Sequence, residues 1–297
     1  MSNIDNTNNF DNSRLQNFAL GATGAVVGFE AEPIIKKMLR KSFGKRIAKE
    51  FKSIQGGGFE PYIQKAIKQN NLEKDLVVLN LNKNTEQIIR QRIGLNVKPK
   101  LNWKTKLLKH ILRIPQSAED SFKRTLMGFN AFCIPSKSIV VCNFDKFGAP
   151  VFHEIVHKLN SKSKNIIVKT LSKIRNPLAM WGTLGVSAIA LLKDSKAKRK
   201  EPENGFQKAT NFVKDNCGLC ATAAMLPLTI EEFIANIKGT KIAKKAGVTG
   251  ELLKKVKKAH KISMISYGSF AIITGLSVFL ASKLRDLICS KKVNNAN

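Results

Sequence analysis

Gly-Ala-Pro-Val-Phe-His-Glu-Ile-Val-His, residues 148–157, is the segment with the clearest structural consequence in this chain. Pro150 suits the first turn of a helix, where its missing N–H removes no hydrogen bond. The sequence therefore predicts a helix from Pro150 to Leu159 or slightly beyond. In that helix His153 and His157 are four residues apart and lie on one face.

Two histidines on one helical face can each offer an imidazole nitrogen to the same metal ion. The spacing suits zinc, whose catalytic sites use three protein ligands and a water molecule. Glu154 lies beside the pair and has the chemistry to take a proton from that water and return it to a leaving amine. The segment predicts zinc bound by His153 and His157, with Glu154 as the general base.

A catalytic zinc needs a third protein ligand, and several side chains qualify. Glu231 and Glu232 stand directly at the end of an apolar run, where carboxylates are costly unless a cation receives them. The alternative is an acidic helix start that complements the helix dipole. The other candidates are His110, Asp145 and His260, and His260 is expected to be solvated because its neighbours are mostly lysines.

The pattern on both sides of the histidine helix predicts an α+β fold that is mostly helical and has a small sheet. Residues 75–81 are predicted to form a buried strand. Segments 130–133 and 138–143 are predicted to pair as a hairpin directly before the histidine helix. Further helices are predicted at residues 61–69, 86–93, 103–112 and 118–126.

Uncharged apolar runs predict contact with a membrane. Those at 176–192 and 216–230 predict a hydrophobic helical hairpin, although each is shorter than the roughly 20 residues of a comfortable span. The run at 262–282 is bracketed by Lys261 and Lys283 and predicts a C-terminal transmembrane helix. Lysine flanks every run, so the orientation is undetermined.

These features divide the chain into four predicted segments. Residues 1–14 form an asparagine-rich leader whose composition predicts disorder. Residues 15–55 are predicted to be helical and contain an apolar run that can contact a membrane. After the glycines at 56–58, a metallopeptidase domain is predicted at 59–260, including the hairpin at 176–230. Residues 261–297 hold the predicted membrane helix and a tail.

The composition is strongly basic, with 51 Lys and Arg against 21 Asp and Glu and a formal net charge of +30. The lysines are spread along the chain and no aromatic-interleaved RNA motif accompanies them, so we expect an anionic lipid surface and no specific nucleic acid as partner. A polyanion-binding protein with an accidental histidine motif is the alternative. Five cysteines are an odd count, which argues against a disulfide framework.

Three motifs, in the same order, resemble gluzincin zinc metallopeptidases of the HtpX type, a membrane-associated family that includes the CAAX prenyl endopeptidases. Asn130-Ala131-Phe132 and the strand after it resemble the family's edge strand. Residues 153–157 match its zinc-binding helix, and residues 232–236, Glu-Phe-Ile-Ala-Asn, resemble its Glu-x-x-Ala-Asp element. The resemblance covers roughly residues 127–247 of the chain.

The resemblance implies peptide hydrolysis with one zinc per chain on His153, His157 and Glu232. It also implies that the edge strand binds protein or peptide substrates at the membrane by strand addition. Asn236 then supports a zinc-bound histidine with a neutral amide, where the family usually has an aspartate. The chain lacks the family's downstream His-Pro motif, and a catalytically silent membrane relative is therefore a second alternative.

Overall fold

The structure is a computed structural model that describes residues 5–95, 118–134 and 137–294. It divides into two compact units. Residues 44–175 and 229–267 form the first, here called the sheet unit. Residues 1–43, 176–228 and 268–297 form the second, here called the helical unit.

The sheet unit contains a three-stranded sheet with the order β1-β3-β2. The central strand β3 (Ile139–Cys142) pairs in parallel with β1 (Val77–Asn80) and antiparallel with β2 (Phe132–Ile134). All four residues of β3 are buried, as expected for a β-branched strand covered on both faces. The predicted strand at 75–81 and the predicted hairpin are thus confirmed, and β2 lies at the edge.

Most helices of the sheet unit lie where the sequence predicts them. Helix α3 (Glu86–Ile93) and α4 (Ala118–Leu126) have the predicted bounds, and the histidine helix begins at Pro150. The predicted helix at 103–112 lies outside the described residues. The remaining helices before residue 165 are the end of α1 (Asp5–Lys52), α2 (Glu60–Gln69), the short α5 (Phe144–Phe147), and the histidine helix α6 (Pro150–Ser161).

The core of the sheet unit lies on both faces of β3. Val140 and Cys142 join the larger cluster, which contains Phe59 and Phe152, whose rings meet edge to face at 6.4 Å. Ile139 and Val141 point into a smaller cluster with residues from α3 and α4. The alternation of a strand thus fixes α6 on one face of the sheet and α3 and α4 on the other.

The helical unit contains parts of long helices and two short ones. It holds α1 up to residue 43, α7 (Ile166–Leu192) from residue 176, α8 (Gly205–Asp215), and α9 (Cys217–Ala224). It also holds the first residues of α10 (Leu226–Lys245) and α11 (Gly250–Asn294) from residue 268. Helix α1 begins at Asp5, inside the segment whose composition predicts disorder, and the predicted segment boundaries stay predictions.

Small residues and one buried lysine organise the helical unit. Ala190, Cys217, Ala221 and Val278 form a buried cluster. Lys214 is 4% exposed, and its ammonium donates to the Ala190 carbonyl, the Ser282 hydroxyl and the Asp286 carboxylate at 2.7–2.9 Å. A buried ammonium with three acceptors is satisfied, so this lysine holds the helices together without leaving an orphaned charge.

Within the described residues, one helix is long and apolar enough to cross a membrane. It covers Gly250–Ser290 with a mean hydropathy of 1.7 in its most apolar window. The predicted transmembrane segment at 262–282 lies inside it. Residues 176–192 form the second part of α7, and residues 216–230 are divided between α9 and α10, which meet at a bend of 41° and pass the same test only as a pair. The hydrophobic hairpin is therefore more segmented than the sequence predicted.

Candidate metal centre

Helices α6 and α10 bring His153, His157 and Glu232 together. One ligand atom from each of the three lies within 4.8 Å of the other two. The Nε2 atoms of the histidines are 2.7 Å apart, and Nε2 of His153 is 3.0 Å from Oε2 of Glu232. Gly239 permits this approach, because a Cβ there would lie 3.0 Å from the Phe152 carbonyl oxygen on α6.

The hydrogen bonds of Asn236 assign the proton of His153. The amide nitrogen of Asn236 donates to the Glu232 carbonyl at 2.8 Å and to the Ser263 hydroxyl at 3.3 Å. Its oxygen therefore faces Nδ1 of His153 at 3.1 Å and accepts a hydrogen bond from it. With the proton on Nδ1, the Nε2 atom presents a lone pair toward His157 and Glu232.

Glu231 orients the second histidine in the same way, but with a charged group. Its Oε1 accepts from Nδ1 of His157 at 2.9 Å and from the Asn160 amide at 3.1 Å. Burial opposes a charged His157, but the hydrogen bonds to Glu231 and Glu232 outweigh it and raise the histidine's pKa to about 10. In the absence of a metal, the site thus holds a proton tightly at this imidazole.

The donor set fits a metal ion. Two imidazole lone pairs at 2.7 Å repel each other unless a proton or a cation lies between them. Oε2 of Glu232 is buried and lies 3.0 Å from Nε2 of His153, while Oε1 lies 3.6 Å from Nε2 of His157. Two imidazole nitrogens and one carboxylate oxygen, each with its other side held, are ligands that zinc accepts.

The other candidate ligands have different positions. Asp145 forms a long contact, 3.5 Å, with the Asn82 amide and is not part of the metal-binding group. His110 lies outside the described residues. Of the adjacent carboxylates at 231 and 232, Glu232 faces both Nε2 atoms while Glu231 contacts a Nδ1 atom.

Glu154 lines a small cavity beside the metal-binding group. The cavity has a volume of about 70 Å³, and Asn130, His153, His260 and Tyr267 also line it. This volume is enough for water. It is well below the several hundred Å³ of a usual ligand-binding pocket. Burial raises the pKa of Glu154, and the two site histidines oppose that shift.

The predicted edge strand lies next to this cavity. Asn130 lines the cavity, Ala131 is buried, and Phe132 begins β2. Cys133 follows, and burial together with the Glu154 carboxylate raises the pKa of its thiol to about 12. Asn130 and Glu154 thus line the same cavity, and β2 pairs with β3 on one side.

His260 contradicts the expectation that it is solvated. It is 4% exposed, its ring centroid is 6.3 Å from that of His153, and its Nδ1 is 2.7 Å from the Thr240 hydroxyl. Its Nε2 atom is buried without a hydrogen-bond partner among the described residues. The lysines around it occupy the opposite face of α11, because Val256, His260 and Ser263 recur at helical spacing toward the site.

Arg175 is the site residue that the sequence did not indicate. One nitrogen of its guanidinium, NH1, contacts Oε2 of Glu231 and Oε1 of Glu232. It lies more than fifty positions from both carboxylates in the chain, so no local spacing reveals the contact.

None of the protein-family models, curated proteins or solved structures that were compared with the chain matches it. The geometry of the site therefore carries the functional argument.

Proposed function

We propose that the protein is a zinc-dependent endopeptidase at a membrane. The observation that carries this proposal is the meeting of His153, His157 and Glu232, which offer one ligand atom each within 4.8 Å of one another while Asn236 and Glu231 hold the Nδ1 atoms of the histidines. Glu154 lines the adjoining cavity, which has room for water. A metal-binding group with a buried carboxylate beside it is the arrangement that metal-assisted hydrolysis requires.

Each residue of the site has a defined task in this reaction. His153, His157 and Glu232 would hold the zinc, which would supply a water of lowered pKa and polarise a carbonyl group. Glu154 would accept a proton from that water and return it to the leaving amine. His260 and Tyr267 line the same cavity.

The proposed substrates are membrane proteins or peptides near the lipid surface. Strand β2 is the edge of the sheet, and Asn130 places its beginning at the cavity of Glu154. An added peptide strand is held by main-chain hydrogen bonds, so its sequence is read weakly. The apolar helix Gly250–Ser290 supports a location at a membrane, whose anionic lipids suit a chain of charge +30.

The direct test of this function compares wild type with Glu154→Gln in lipid nanodiscs. The probes are fluorescein-labelled casein and an internally quenched peptide. We expect wild type to cleave them in a zinc-dependent way and Glu154→Gln to be about 10²–10⁴-fold slower, because the variant loses its general base. We expect both proteins to retain zinc. Glu73→Gln, at an exposed position, is the matched control.

A catalytically silent zinc protein is the second candidate function. It is favoured by the small cavity and by Asn236, which gives His153 a neutral partner. Wild type that binds one zinc but cleaves neither probe would establish it. Binding of nucleic acid with steep salt dependence and without metal would instead support a polyanion-binding protein.

A further inference from the structure

Arg175 is enclosed at the metal-binding group, and its contacts distinguish the four oxygens of two adjacent carboxylates. Its side chain is 15% exposed, and NH1 contacts Oε2 of Glu231 and Oε1 of Glu232. The remaining oxygen of Glu231 accepts from His157 and Asn160. The remaining oxygen of Glu232, Oε2, is buried and faces Nε2 of His153 at 3.0 Å.

The two oxygens of Glu232 therefore have different partners. Because Arg175 occupies Oε1, only Oε2 remains free to coordinate a metal, and it already lies 3.0 Å from Nε2 of His153. A carboxylate held at one oxygen coordinates through the other in a monodentate way. The fourth position of a tetrahedral zinc then stays open for water.

The same contact gives Arg175 a second task, because its guanidinium lies against two adjacent buried carboxylates, those of Glu231 and Glu232. Buried carboxylates that lack a partner are strongly disfavoured, and Glu231 at 1% exposure depends on this pairing.

We infer that Arg175 is a positioning residue of the metal centre, which holds Glu232 as a monodentate ligand and holds Glu231 in place behind His157. This inference rests on the proposed function for its zinc. It assigns Arg175 no contact with substrate.

The test measures the metal centre itself in purified full-length protein. Zinc affinity is determined by competition with a chelator, and cobalt(II) replaces zinc to report the coordination number through its visible absorption. We expect Arg175→Gln to lower zinc affinity about 10–100-fold, as is typical for lost partners of ligands. We also expect its cobalt spectrum to weaken, because a freed Oε1 makes Glu232 bidentate and raises the coordination number.

Two further variants separate positioning from general damage. Lys173→Gln, which removes an exposed cation of the same helix, should leave zinc affinity and cobalt spectrum unchanged. If Arg175→Gln fails to fold, the double variant Arg175→Gln with Glu231→Gln removes the unbalanced charge. It should fold and still show the weakened cobalt spectrum.

Different results would contradict the role of Arg175 and the proposed peptidase function. Zinc affinity and a cobalt spectrum that are unchanged in Arg175→Gln overturn the role of Arg175 alone. If wild type binds zinc but cleaves no peptide, the proposed peptidase function is wrong. The zinc affinity and cobalt spectrum of Arg175→Gln then still decide the role of Arg175. Wild type that binds no zinc overturns both.

Discussion

Each ligand histidine of the proposed zinc site has a different supporting group. His153 donates to the neutral amide of Asn236, whereas His157 donates to the carboxylate of Glu231. A charged acceptor increases the basicity of an imidazole more than an amide does. His157 is therefore the stronger of the two ligands, and Asn236 chiefly orients His153.

Asn236→Ala tests this orienting role. Removing the amide frees the ring of His153 and its Nδ1 proton, so we expect zinc affinity to fall about 10-fold or more while zinc still binds. Competition with a chelator measures the change, and Asn84→Ala, at an exposed position, is the matched control. Equal affinities in the two variants would show that the contact between Asn236 and His153 does not support the site.

At the residue scale, the sequence predicted the parts of the site that depend on local spacing. The positions of His153 and His157 on one helical face follow from their separation, and an acidic pair after an apolar run singled out Glu231 and Glu232. The different tasks of those two carboxylates depend on the approach of α10 to α6. The burial of His260 and the contacts of Arg175 also depend on tertiary packing, which no single-sequence pattern contains.

The elements of the sheet unit were predictable because their signals are local. A local signal marks each of three elements. Proline marks the start of α6, Gly94 with its positive φ marks the end of α3, and a run of β-branched residues marks β3. The apolar segments gave weaker predictions. Uniformly apolar runs carry no periodicity that marks where α9 ends and α10 begins.

Gly275 tests the packing of elements in the helical unit. A Cβ at this position of α11 would lie 2.4 Å from the Gly218 carbonyl oxygen on α9, so the two helices would have to move apart to admit it. We expect Gly275→Ala to destabilise the protein by about 1–3 kcal/mol through overpacking. The melting midpoint of the detergent-solubilised protein measures the effect.

Gly185→Ala is the matched control for that prediction. Gly185 lies within α7, and no atom would lie within 4 Å of an added Cβ. Alanine there should be neutral or stabilise by about 0.5–1 kcal/mol, since glycine is unfavourable inside a helix. A melting midpoint that falls equally in both variants would contradict the close contact of α9 and α11.

At the scale of the whole molecule, α11 is the candidate membrane span among the described residues. Several large apolar side chains of this helix are exposed, among them Ile265, Ile272 and Leu287 at 47–58%. Exposed apolar side chains on one helix suit contact with lipid. Together with a charge of +30, they favour a protein that binds an anionic membrane by insertion as well as by attraction.

Membrane fractionation distinguishes insertion from attraction. We expect the full chain to remain in the membrane pellet after washing with concentrated salt and with alkaline carbonate, because a spanning helix is not released by either. Release by salt would show that the lysines alone hold the protein at the membrane. Release by carbonate alone would also contradict a spanning α11.

The zinc content of the purified protein tests the central claim most directly. We expect one zinc per chain in wild type, one in Glu154→Gln, and none in Glu232→Ala, because only the last variant removes a ligand. One zinc per chain in Glu232→Ala would contradict the assignment of the metal centre to His153, His157 and Glu232.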